Sequence, residues 1–197
     1  MGSTFIVVLA WLVVLALWGA AVYNRLRLLR NRVENAWSQI DVQLKRRYDL
    51  IPNLVEVARG YMQHEASTLE AVARARSQAV QASEALRGHT GQAQALGALA
   101  AAEQALGSSL GRLMVVAEAY PELKADAQMQ SLSEEIASTE NRIGFARQAY
   151  NDEVMAFNNK ASQFPDLICA RLLGFAHMDM LQSTMNEQER QAPSVRF

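Results

Sequence analysis

The stretch RLRLLRNRVENAWSQIDVQLKRRYDLIPNLVEVARGY, residues 25–61, carries apolar side chains at intervals of three and four. This spacing places them along one face of an α-helix, so the stretch predicts an amphipathic helix with one buried face. The face is interrupted at Pro52, and nothing nearby has the composition of a loop. The apolar positions before and after the proline are Leu26, Leu29, Val33, Trp37, Ile40, Leu44, Ile51, Val55, Ala58 and Met62.

Pro52 predicts a kink or a restart of this helix. Proline has no backbone N–H and disfavours helical geometry at the residue before it. Asp49 has a side chain that can cap a new turn, and Pro52 would then lie in the first turn, where its missing donor costs least. Because the apolar face resumes almost in register, we favour a tight kink over a long loop.

An uncharged run, FIVVLAWLVVLALWGAAV, precedes the amphipathic stretch. It extends over 18 residues from Phe5 to Val22, or roughly 27 Å of helix, close to the ~30 Å core of a bilayer. We therefore predict a transmembrane anchor over residues 1–24. A cleaved signal peptide is the alternative, but residues 1–4 carry no positive charge and the run is longer than a usual signal core. The predicted anchoring residues are Phe5, Trp11, Trp18 and Val22.

Basic residues follow the apolar run before the first acidic residue, Glu34, and no Lys or Arg precedes it. By the positive-inside rule, the body of the protein is expected in the cytoplasm and the N-terminus outside. The same side chains can contact anionic lipid headgroups. No loop separates the run from Leu26, so the anchor and the first bundle helix are expected to form one rod. The juxtamembrane basic residues are Arg25, Arg27, Arg30 and Arg32.

The rest of the chain predicts only helices, so the fold class is all-α. A second helix is expected from about Pro52 to Leu86, and a third from about Gln92 to Ala119, with a turn at residues 87–91 between them. A fourth helix of about forty residues ends near Phe164 and needs equally long partners. Together these segments define a helical bundle over residues 25–164.

The last segments have a different character. Residues 165–181 predict a short apolar helix that is too short to span a bilayer. It either completes the bundle core or contacts a neighbouring subunit or the membrane interface, and we favour the second interpretation. Residues 182–197 are polar and predict a flexible tail. The apolar side chains in question are Leu167, Ile168, Leu172, Leu173 and Phe175.

Composition and motif searches point away from several functions. The net charge of −1 disfavours nucleic-acid binding, and the single cysteine, Cys169, cannot form an internal disulfide. His64-Glu65 begins like a zinc-protease motif but lacks the second histidine, and no phosphate-binding glycine loop occurs. We therefore expect no metal, no cofactor and no nucleic-acid partner.

Several motifs resemble those of the LemA family of bacterial membrane proteins. They are LRNRVENAWSQIDVQLKRRYDLIPNLVEVARGY, AYPELKA, TENRI..AR..YN..V..FN and the pair Phe164-Pro165, in the family's order. The resemblance implies one N-terminal membrane helix followed by a cytoplasmic antiparallel bundle of long helices. The family includes a magnetosome branch linked to membrane-compartment formation, and no family-wide enzymatic activity is implied.

Polar residues within these motifs form the remaining candidate site. An unpaired charge beside an apolar face is expensive, so these side chains should find partners. They form either a binding site or a paired set that fixes the register of the helices, and we favour the paired set. The residues are Asp41, Asn53, Glu140, Asn141, Arg142 and Asn151, together with Asp49 beside the proline.

Three functional hypotheses follow from this pattern. The first is a membrane-anchored, non-enzymatic scaffold that forms homo-oligomers or recruits membrane-protein partners on the lipid bilayer. The alternative is an accessory or signalling subunit of a membrane protease or an envelope-stress system. A hydrolase with dispersed catalytic residues ranks third, because no catalytic motif is present.

Overall fold

The protein, seen in a computed structural model that describes residues 2–86 and 91–181, is all-α within those ranges, as predicted. The predicted flexible tail, residues 182–197, and residues 87–90 of the predicted turn lie outside the described residues. The helices are α1 (Gly2–Tyr61), α2 (Ala66–Ala85), α3 (Ala93–Ala117), α4 (Pro121–Ala125), α5 (Ala127–Ser162) and α6 (Asp166–Leu172).

The long helices α1 and α5 pack along each other in opposite directions. Helix α2 packs on both α1 and α3. The two antiparallel helices α1 and α5 keep a one-to-one register, so that each step back along α1 corresponds to one step forward along α5. The Tyr61 hydroxyl donates to Asp126 at 3.0 Å at one level, and the rings of Trp37 and Tyr150 are 6.0 Å apart at another. Moving 24 residues back along α1 therefore corresponds to moving 24 residues forward along α5.

The bundle core contains every apolar position predicted for α1 from Leu26 to Met62. Side chains three and four apart on α1 meet the matching face of α5, where Tyr150 and Phe157 are fully buried. Each large side chain of this kind contributes roughly 1.5–3 kcal/mol when it leaves water. The apolar spacing therefore accounts for the packing of the two longest helices.

The predicted restart of the helix at Pro52 is wrong, because α1 continues through the proline to Tyr61. The chain breaks at residues 62–65 instead, and α2 begins at Ala66. Asp49 is an exposed residue inside α1 and caps no helix start. A bend of α1 at Pro52 stays a prediction.

A tertiary hydrogen bond offsets the donor that Pro52 lacks. In an uninterrupted helix, the N–H of residue 52 would donate to the carbonyl of Tyr48. Here the Nε of Arg76, on α2, donates to that carbonyl at 2.6 Å. The proline therefore frees a backbone acceptor on α1, and α2 attaches to it.

The predicted fourth helix corresponds to α5, and the short helix α4 precedes it. Pro121 lies at the start of α4, where a missing N–H has no partner to lose. Asp126 caps α5, and its side chain accepts a hydrogen bond from the N–H of Met129 at 2.9 Å. The long helix therefore begins at a defined residue, opposite the far end of α1.

The terminal helix is shorter than the predicted segment of residues 165–181. Helix α6 ends at Leu172, and Gly174 follows with φ of +73°, a left-handed conformation that suits glycine after a helix end. Residues 173–181 are not helical, and they return along α5, because Phe175 and Met178 contact that helix near its end, whereas Leu181 contacts it two turns earlier. We call residues 173–181 the C-terminal strap.

Candidate functional site

A buried polar junction joins the helices near the middle of the bundle. It consists of Arg47 and Tyr48 on α1 and Glu103 on α3. The Nη1 of Arg47 donates to Oε2 of Glu103 at 3.1 Å, and the hydroxyl of Tyr48 donates to Oε1 of the same carboxylate at 2.6 Å. Arg47 is 4% exposed and Glu103 is 2% exposed, so this ion pair is almost completely removed from water.

The junction also reaches α2 and α5. The backbone carbonyl of Tyr48 accepts the bond from Arg76 described above. On α5, Oε2 of Glu140 lies 3.7 Å from Nη2 of Arg47, with the Glu140 side chain 62% exposed. Two consecutive residues of α1 thus bind polar groups on α2, α3 and α5.

Burial and charge set the protonation states around the junction. Burial, followed by the neighbouring Glu103 carboxylate, raises the pKa of Tyr48 well above its usual range. Burial lowers the pKa of Arg147, on α5, and the charge of Arg47 adds to this effect, while Glu103 opposes it. Tyr48 therefore stays protonated at neutral pH and acts as a hydrogen-bond donor to Glu103.

Burial and pairing suit the junction to a structural role. A tyrosine with a raised pKa is a poor base and a poor nucleophile at neutral pH. Among residues 2–86 and 91–181, no group of three or more His, Cys, Asp or Glu side chains is placed to hold a metal ion. What the junction can do is fix the relative positions of four helices, because any shift would separate buried charges.

The six polar residues predicted as one network lie in separate places. Asp41 accepts a hydrogen bond from the hydroxyl of Ser83 at 3.2 Å, and Glu140 faces Arg47. Asn151 binds the C-terminal strap. The structure therefore does not bring the set together at one site. The other three, Asn53, Asn141 and Arg142, are exposed.

The residues of the polar junction were missed in the sequence, although Glu103 left a signal. It occupies the same helix face as Leu99, Leu106 and Leu110, at spacings of three and four, where an apolar residue is expected. An acid in such a position predicts a buried partner of opposite charge. Arg47 left the same kind of signal, because it lies three residues after Leu44 and four before Ile51 on the apolar face of α1.

Two asparagines of α5 hold the C-terminal strap. The side-chain amide of Asn158 donates to the carbonyl of Met178 at 2.8 Å and accepts from its N–H at 3.0 Å. Asn151, two turns earlier, makes the same pair of bonds with Leu181, both at 2.8 Å. Each asparagine thus satisfies both backbone groups of one strap residue.

The strap also contacts the start of α3. The N–H of Asp179 donates to the carbonyl of Gly91 at 3.1 Å, and its carboxylate accepts from the N–H of Ala93 at 3.1 Å. Gly91 has φ of +88°, and a Cβ there would lie 3.1 Å from the side chain of Met178. The strap therefore joins α5 to the hairpin of α2 and α3, and glycine is required where it passes.

The predicted anchor divides into an exposed part and a packed part. Phe5 is 69% and Trp11 65% exposed, so both side chains stand largely clear of the bundle. Trp18 is half-buried, and Val22 is buried in the bundle core. Of the basic residues that follow, Arg25, Arg27 and Arg32 are exposed, and Arg30 pairs with Glu34 at 3.3 Å.

The five apolar side chains after Pro165 also fall into two groups. Phe175 is half-buried, and its ring lies 5.8 Å from that of Tyr23 and 6.3 Å from that of Phe157. Leu167 is half-buried as well. Ile168, Leu172 and Leu173 are exposed on α6 and immediately after it. Phe175 packs against the bundle core, whereas Ile168, Leu172 and Leu173 stay about half exposed or more.

These features define a class of protein: a bundle of long helices whose first helix is long and apolar enough to cross a membrane. The chain belongs to the LemA family, whose sequence model matches residues 36–197. It is 26% identical to magnetosome protein MamQ 2 of Paramagnetospirillum magneticum, over 81% of this chain and 64% of that protein. Magnetosome protein MamQ of Magnetospirillum gryphiswaldense is 24% identical, over 80% of this chain and 63% of that protein. The chain therefore spans a little under two thirds of the length of these relatives.

Proposed function

We propose that the protein is a non-enzymatic scaffold anchored in the bacterial inner membrane, which assembles with itself or recruits membrane-protein partners. The observation that carries this proposal is the continuity of α1 from the exposed apolar residues near Phe5 to the buried core residues beyond Val22. Sixty residues of helix extend over roughly 90 Å. Such a helix couples the position of the bundle to that of the bilayer without a flexible linker.

The buried polar junction and the strap support a scaffold in a second way. Both bind groups from different helices at buried positions, which gives the bundle one fixed arrangement. A fixed arrangement suits a protein that presents a surface to partners. The basic residues after the span favour a cytoplasmic bundle by the positive-inside rule.

Exposed apolar residues far from the anchor favour self-assembly. Val42 is 59% exposed and Phe145 is 74% exposed, and the pairing of α1 with α5 places them at the same level of the bundle. Large apolar side chains in water are favourable contacts for another protein surface. We therefore expect this level to take part in contacts between copies.

Native mass spectrometry of the full-length protein, extracted from membranes in mild detergent, tests the proposal. A homo-oligomer that dissociates in the double variant Val42→Ser/Phe145→Ser is expected. Val115→Ser is the matched control, because Val115 is 70% exposed on α3. A monomer without any partner would contradict the scaffold, and a stoichiometric foreign subunit would favour the accessory role in a protease or stress system.

The orientation is tested by thiol labelling in intact cells. Cys169, the only cysteine, is replaced by Ser, and Ser38, an exposed residue of α1, by Cys. A membrane-impermeant maleimide should label this variant only after the inner membrane is permeabilised. Labelling before permeabilisation would place the bundle outside the cytoplasm.

A further inference from the structure

Helix α6 lies at the level where α1 leaves the predicted membrane span. The one-for-one pairing of α1 with α5 places Trp37 beside Tyr150, so Ser162, twelve residues further along α5, reaches the level of Arg25. Helix α6 follows after Pro165 and contacts both α1 and α5. The contact of Phe175 with Tyr23 fixes the strap's first residues at the same height.

The outer face of this end is apolar. Asp166 and Ala170 turn towards the bundle and are buried, whereas Ile168 and Leu172 lie on the opposite side of α6 and are 49% and 81% exposed. Phe164, just before the helix, is 83% exposed. Leu173 extends the same surface at 50% exposure. We call Phe164, Ile168, Leu172 and Leu173 the terminal apolar patch.

The charges around the patch suit the surface of an anionic bilayer. Arg171 is exposed on α6, and Arg25 and Arg27 are exposed at the neighbouring level of α1. The acidic residue of α6, Asp166, is buried and paired with Nζ of Lys160 at 2.5 Å. The described part of this end therefore presents apolar side chains with basic ones beside them, the combination found in segments that lie in a membrane interface.

We propose that the terminal apolar patch inserts into the lipid interface beside the α1 span, as a second membrane contact. The proposal rests on the membrane anchoring proposed above. Phe164, Ile168, Leu172 and Leu173 enter the boundary between headgroups and acyl chains, while Arg171 remains among the phosphates. Two contacts at one level hold the bundle at a fixed tilt and rotation on the bilayer, which a single helix does not.

Fluorescence of single labelled sites tests this placement. The full-length Cys169→Ser protein is reconstituted in vesicles of phosphatidylethanolamine and phosphatidylglycerol, with an NBD label at one position in turn. Leu172→Cys reports the patch, Leu9→Cys reports the span, and Val115→Cys is the control, an apolar residue 70% exposed on α3. Quenching by lipids that carry a nitroxide at a shallow or a deep carbon locates each label.

The label at position 172 should emit at shorter wavelength than the label at position 115 and be quenched more strongly by shallow nitroxides than by deep ones, at a depth of about 5–10 Å. Replacing phosphatidylglycerol with neutral lipid should weaken this quenching. Water-like emission at position 172, or a blue shift without lipid quenching, as a second copy would produce, overturns the inference. If the label at position 9 is not quenched by deep nitroxides, the proposed anchor itself fails, so the two proposals are tested separately.

Discussion

Replacing Glu103 by Gln removes the negative charge from the buried polar junction and leaves its shape nearly unchanged. Arg47, 4% exposed, then keeps the more distant Glu140, at 3.7 Å, as an acidic partner. Breaking a buried ion pair in this way costs about 3–5 kcal/mol, because one charge stays buried without its partner. For a chain of this size each kcal/mol shifts the melting temperature by about 2–4 °C, so a loss of roughly 10 °C is expected.

The assay is thermal unfolding of the full-length protein in detergent, followed by far-ultraviolet circular dichroism. The neighbouring pair provides the control: Arg46 and Glu135 join α1 to α5 at 2.6 Å, and their side chains are 50% and 38% exposed. Glu135→Gln should lower the free energy of unfolding by no more than about 1 kcal/mol, since water screens an exposed ion pair. The double variant Arg47→Met/Glu103→Leu should recover part of the loss, because it removes both buried charges of the pair.

Equal effects of Glu103→Gln and Glu135→Gln would refute this reasoning. The reasoning would also be refuted if the loss of melting temperature in Arg47→Met/Glu103→Leu equalled the sum of the losses in Arg47→Met and in Glu103→Leu. The two residues would then act independently. Either result would mean that the pair at 3.1 Å contributes no more than a surface contact.

Three further expectations follow. Arg76→Met should lower the melting temperature, and the loss should be smaller in a Pro52→Ala background. The new N–H at position 52 then replaces the lost donor to the Tyr48 carbonyl, a coupling of about 1 kcal/mol. Equal losses in both backgrounds would contradict this coupling. Asn158→Ala should speed hydrogen exchange at Met178, whereas Asn159→Ala, an exposed neighbour, should not; unchanged exchange in both would show that the strap does not depend on Asn158. The hydrogen bond from Met129, followed by that from Tyr61, lowers the pKa of Asp126. The ionised Asp126 side chain therefore stabilises the folded protein above about pH 4, and this stabilisation is lost as the pH falls through the lowered pKa. Asp126→Asn should reduce the acid-induced fall in melting temperature, and an unchanged profile would contradict the cap's role.

The sequence predicted the parts of the fold that depend on periodic burial. The apolar face of α1 and the long face of α5 were both recognisable, because each buried residue recurs at helical spacing. The end of α1 was not predictable in this way. A local rule placed a break at Pro52, whereas the helix continues, and Arg76, 24 positions later, donates the hydrogen bond that the Tyr48 carbonyl would otherwise lack.

The candidate site was harder to predict, because it depends on contacts between distant segments. Glu103 pairs with Arg47 across 56 residues, and no local pattern links them. Residues 173–181 were predicted as helical from their apolar composition, whereas Asn151 and Asn158 bind them in a non-helical form. Both asparagines lie in the motif YN..V..FN that carries the family resemblance, but their partners are visible only in the folded chain.

The scaffold proposal depends on one uninterrupted helix that joins the predicted membrane anchor to the bundle. Double electron–electron resonance on the Cys169→Ser protein in lipid nanodiscs, with nitroxides introduced by Leu17→Cys and Asn35→Cys, measures this directly. Both residues are exposed, and 18 residues of α-helix return to the same face after about 27 Å. We predict a narrow distance distribution centred near that separation, allowing for the label arms. A broad distribution, or a clearly shorter distance, would show a flexible or bent joint between the span and the bundle and would contradict a continuous helix.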